Sequence, residues 1–163
     1  MARLFFILIS LMLPQLVLAQ QSGETLLEYF NSLGGVSVEY SLSGISQDGK
    51  IAISDSGTAE IQGNCYHVKS AGIEIFSNGI TSYYYSAKSE ELVITDNEAI
   101  PLLAASDITK KSSGEIVAVY TGPDKIVYTV ELKNVTPLEN PLPASAFVFS
   151  DLDNPSLIIT DIR

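Results

Sequence analysis

Tryptophan is absent from this 163-residue chain, cysteine and histidine occur once each, and arginine stands only at Arg3 and Arg163. Each scarcity excludes something. The single cysteine, Cys65, forms no internal disulfide, so stability must come from apolar packing. Cys65 and His67 lie two apart on a predicted strand and share a face, the spacing of a thiolate-imidazole pair or of two metal ligands. No second cysteine or histidine completes a tetrahedral site, so neither a catalytic nucleophile nor a metal site is assigned. Glu90, Glu91, Asp96 and Glu98 bracket one strand without the Asp-x-Asp-x-Asn-Gly order of a calcium loop, and read as a charge-blunted strand end. The glycines form neither a GxGxxG nor a P-loop pattern, and no cofactor is expected. Basic residues number 9 against 19 acidic ones, a formal net charge of −10. Nucleic acid and anionic lipid surfaces would be repelled, so the acidity is read as a source of solubility.

The longest apolar run sits at the start. Met1 to Ala19 have the form of a secretory signal: Arg3, an apolar centre from Leu4 to Leu13, and Val17-Leu18-Ala19 as a cleavage site. Pro14-Gln15 interrupts the run, which is shorter than the roughly 20 residues of a spanning helix. The expectation is an exported chain starting at Gln20, not membrane-spanning after cleavage, and without a lipid anchor, because no cysteine precedes Cys65. Residues 20–163 suit one domain with a real core.

The stretch from Gly57 to Thr95 organises that domain. Thr58 to Ile61, Cys65 to Lys69, Ile73 to Ile75, Ile80 to Ser86 and Glu91 to Thr95 read as strands. Gln62-Gly63-Asn64, Ala71-Gly72 and Asn78-Gly79 supply the turns of a meander. Before it, Leu26, Leu27, Phe30 and Leu33 form one face of a short helix ended by Gly34-Gly35, and Val36 to Ser43 alternate as a half-buried strand. Gln47 to Lys50 turn the chain into a strand opening at Ile51, with a kink near Ser54 to Gly57. After the meander, Asn97 to Ser106 read as a short apolar helix and Lys110 to Gly114 as a loop. Glu115 to Tyr120 are apolar on both faces, the mark of a strand covered on two sides. Ile126 to Leu132 alternate, Pro137, Pro141 and Pro143 make Asn134 to Ser145 a loop, and Leu157 to Ile162 form an edge strand.

The ordered set Gly57, Ile61-Gln62-Gly63-Asn64-Cys65-Tyr66, Asn78-Gly79, Tyr83-Tyr84-Tyr85 and Glu91 to Thr95 resembles the LolA-like periplasmic lipoprotein carriers, especially their shorter Bacteroidetes-type relatives. Ser145 to Phe149 and Ile159 to Arg163 resemble the family's closing motifs. The resemblance implies an acyl chain held between an open, curved sheet and a helical lid, with the Leu26 and Leu102 helices on the concave face. The family's release-linked arginine has no counterpart, since none occurs between Arg3 and Arg163. The step from Lys111 to the Glu115 strand is also short for this family, whose members usually carry one or two further strands there.

The fold expected is α+β, a curved antiparallel β-sheet or open half-barrel covered by short helices. Its function would be that of a soluble periplasmic carrier, with acylated lipoproteins or another lipid as cargo and envelope transport machinery as a further partner. The ligand-binding row expected is Val38, Tyr40, Ile61, Tyr66, Val68, Tyr83 and Tyr85 on the sheet, roofed by Leu26, Phe30, Leu102 and Leu103. A non-enzymatic envelope interaction module with a filled core is the alternative. A cavity under the helices would separate the two, and an enzyme ranks third.

Overall fold

A computed structural model describes residues 24–97, 100, 103, 105 and 107–163. The proposed signal segment, Leu102 and most of the expected second helix lie outside the described residues. Helix α1 spans Leu26–Ser32. Its start is fixed by a capping box: Glu28 donates its amide to the Thr25 hydroxyl at 3.2 Å, and the Thr25 amide donates to the Glu28 carboxylate at 2.7 Å. Gly34 and Gly35 end it with φ of 79° and 110°, values that a side chain would resist.

Ten strands follow: β1 (Val36–Ile45), β2 (Ile51–Gln62), β3 (Cys65–Ser70), β4 (Ile73–Ser77), β5 (Thr81–Ser86), β6 (Glu91–Asp96), β7 (Asp107–Lys110), β8 (Ile116–Thr121), β9 (Val127–Pro137) and β10 (Ile158–Asp161). They make one open sheet in the order β10-β6-β5-β4-β3-β2-β1-β9-β8-β7. Every pairing is antiparallel except β10 with β6, so the sheet is mixed, where an antiparallel one was expected. No described helix is long and apolar enough to cross a membrane.

The meander turns fall where the glycines predict them, with Gly63 and Gly72 at φ 59° and 83°. Elsewhere the structure corrects the reading. The kink expected near Ser54 to Gly57 is instead one continuous strand, in register with β1 from Ile53 to Ile61. Asp107–Lys110 pair with β8 as an edge strand, although four mainly polar residues gave no periodic signal. β9 runs on to Pro137 because a bulge opposite Ser37 to Glu39, with Asn134 at φ 51°, absorbs the misfit. Strand β8 is fully buried on one side only: Ile116 and Ala118 are inside, while Val117 and Val119 are half-buried.

The sheet buries opposite faces at its two ends. On one face α1 lays Leu26 and Phe30 against Val36, Val38, Ala59, Ile61, Tyr66, Ile108, Ile116, Ala118, Val130 and Leu132. On the other, the tail after β9 crosses the meander and packs Phe149 and Leu157 on Leu92, Ile94, Phe76, Tyr83 and Tyr85. Gln62 holds that tail, its side-chain oxygen accepting from the Leu142 amide at 2.8 Å.

Candidate functional site

Cross-strand register decides which side chains meet beneath α1. Val38 pairs with Ala59, Ala59 with Val68, Val68 with Ile75 and Ile75 with Tyr84, and directly paired residues share a face. Val38, Ala59, Val68 and Ile75 of this row, with Ile61 and Leu42, form the floor of an apolar cleft of about 240 Å3. Leu26 and Phe30 of α1 and Ile100 and Leu103 close it from above, and Val130 and Leu132 of β9 wall one side. Leu103 donates its amide to the Ile100 carbonyl at 2.9 Å, within the span expected as a second helix.

Of the expected row, Leu26, Phe30, Val38, Tyr40, Ile61, Val68 and Leu103 all line the cleft. Tyr66 is buried on the same face but lines a neighbouring depression of about 310 Å3 with Leu27, Asn64 and Asn97. Ile100 and Leu103 belong to the walls of both. Leu102 lies outside the described residues.

Tyr83 and Tyr85 require correction. Tyr83 pairs with Phe76, and Phe76 with His67, so these side chains point away from α1. Their surroundings are the second core, where the Tyr85 and Phe149 rings lie 4.9 Å apart. Of the three tyrosines of β5, the one on the helix face is Tyr84. His67 stacks on Phe76 with ring centroids 4.1 Å apart, and its Nε2 lies 2.9 Å from the Glu74 carboxylate. Among the described residues no three histidine, cysteine or carboxylate side chains gather as metal ligands.

Two polar features of the helix face were not foreseen. At the end near Tyr66, Ser77 and Ser82 are fully buried, and both hydroxyls donate to the Asn97 side-chain oxygen, at 2.6 and 3.2 Å. Asn97 in turn donates to the Gly79 carbonyl at 3.3 Å. This network ties β4, β5 and the end of β6 together and satisfies its own groups.

At the other end stands Asp55, brought into the cleft by its pairing with Leu42. The Tyr40 hydroxyl donates to Asp55 Oδ2 at 2.9 Å. Partial burial, reinforced by the bond to Asp55, pushes the Tyr40 phenol up to about 12. The folded protein therefore keeps a proton that the unfolded chain releases near pH 10, an ordinary tyrosine value, roughly. Stability from this source is complete below about pH 10 and is lost as pH rises towards 12. Denaturant unfolding across that window should show Tyr40→Phe losing less stability than wild type, whereas parallel curves would contradict the buried phenol.

The opposite face carries a larger but polar trough. About 590 Å3 of space is lined by Ser41, Ser43, Ser54, Ser56, Thr129 and Glu131, with Ala71 and with Leu42 and Asp55, which it shares with the cleft. Its hydroxyls are solvated strand positions, and it lacks the apolar lining that most ligand sites have. The cleft beneath α1 is the better candidate.

Comparison with protein-family models and with curated proteins finds no match for this chain.

Proposed function

We propose that the protein is a LolA-like carrier that holds an acyl chain in the cleft beneath α1. The observation that carries this reading is the lining: apart from Tyr40 and Asp55, each described residue around the cleft is apolar. At about 240 Å3 the cleft is near the lower bound of ligand sites, roughly 300 Å3. That size favours one chain over several. Burial of ten methylenes would return about 8 kcal/mol before the cost of association is subtracted. The groups at its polar end, a phenol and a carboxylate, orient a ligand rather than attack one, so we read a binder and not an enzyme. The secretory pattern of Met1 to Ala19 supports a periplasmic location, with acylated lipoproteins or another lipid as cargo and envelope transport machinery as a partner.

Titration with a fluorescent, uncharged acyl ester tests the proposal. Saturable one-to-one binding is expected, and its absence would defeat the carrier reading. An interaction module is the second reading, favoured by the edge strand β10, where Ile158 and Ile159, with Ile162 just beyond, are exposed.

A further inference from the structure

The cleft carries one charge among the described residues that line it, the Asp55 carboxylate. Its position is not the solvated rim of a turn. Asp55 lies within β2, on the helix face, in line with Ala59 and Ile61 and opposite Leu42. From Ile61 to Asp55 the strand covers about 20 Å at a rise of ~3.3 Å per residue, so one end of the cleft is wholly apolar and the other is anionic. Tyr40 holds the carboxylate there by donating to Oδ2. A carboxylate offers about four acceptor sites, and the phenol occupies one. The Tyr40 hydroxyl donates its proton to Asp55 and has Ser70 beside its oxygen, so the open acceptors at this end are those of the Asp55 carboxylate.

We propose that the cleft selects single-chain lipids whose polar end is a neutral or cationic hydrogen-bond donor, and rejects the free fatty-acid anion. This rests on the carrier reading. An alkylamine or the hydroxyl end of a monoacylglycerol places donors against the open acceptors of Asp55. A fatty-acid carboxylate brings a second negative charge and no donor into a half-buried site, where like charges are poorly screened. The overall charge of −10 also repels anions, but that field extends through solvent and collapses at high salt, whereas direct contact with Asp55 does not.

The test is a competition series on the full chain at high salt, below the micelle concentrations of the ligands. Dodecylamine, monododecanoylglycerol and dodecanoate each displace a bound uncharged fluorescent acyl ester. Wild type should bind the amine and the glyceride at least tenfold more tightly than dodecanoate. In Asp55→Asn, with circular dichroism unchanged, the gap between amine and dodecanoate should close at least tenfold. Equal affinities in wild type, or a gap that Asp55→Asn leaves intact, would overturn the selectivity while leaving the carrier reading standing. If the fluorescent ester itself never binds saturably, both fall. The wild-type series decides the matter even if the variant folds poorly.

Discussion

Replacing Gly57 by alanine is expected to cost about 3 kcal/mol of unfolding free energy, at the upper end for one methyl forced into a packed site. Gly57 has no unusual φ, so the reason is not conformational freedom. A Cβ built there collides with the carbonyl oxygen of Lys69 and lies 2.8 Å from its carbon and 3.1 Å from the Ser70 Cα. These are backbone atoms of the neighbouring strand, so no side chain can rotate out of the way. β2 and β3 approach at this point as only glycine allows, and the approach sits between Ala59 and Asp55 on the row that floors the cleft. Urea denaturation of Gly57→Ala should show the midpoint falling with little change of slope. A loss below about 1 kcal/mol would mean that the strands are further apart than described. The expected cost of about 3 kcal/mol is a large share of the ~5 to 15 kcal/mol that holds a domain of this kind together.

The second large effect is on binding. Ile75→Asp should weaken the uncharged acyl ester tenfold or more, equivalent to about 1.4 kcal/mol, with far-UV circular dichroism near wild type. Ile75 lies on the cleft floor between Val68 and Tyr84 and is half-buried, so the folded chain can hydrate a carboxylate there. A bound chain would strip that water away, and an unpaired charge pays heavily for desolvation. Exposed Ile80 gives the control, since Ile80→Asp changes the net charge equally on a residue 77% exposed and outside the cleft lining. Equal weakening by both substitutions would point to overall charge rather than to contact.

What could be read from the sequence was local chemistry. Gly63-Asn64, Ala71-Gly72 and Asn78-Gly79 turn the chain by their own dihedral preferences, and the helix from Leu26 announces itself by spacing and by Gly34-Gly35. Most of the cleft followed, because Val38, Tyr40, Ile61 and Val68 lie on strands with one apolar face. Where both faces are apolar, period two gives two rows but not their destinations. In β5 three consecutive tyrosines left that choice to distant residues, and Phe149 and Leu157 of the tail claim Tyr83 and Tyr85 for the other side. The parallel seating of β10 beside β6 and the antiparallel seating of β9 beside β1 are long-range choices of the same kind. Asp55 was invisible as a site residue, since only the register of β1 against β2 sets it in the cleft.

The central claim, that an acyl chain enters beneath α1, is tested most directly by methyl-resolved NMR of the folded protein titrated with the uncharged ester. Val38, Val68, Ile75, Leu103 and Val130 should shift together along one saturating curve, while Val117 and Val119 on the opposite face of β8 stay fixed. Shifts confined to the outer face or to Ile158 and Ile159 of β10, or no saturable shift at all, would contradict the account.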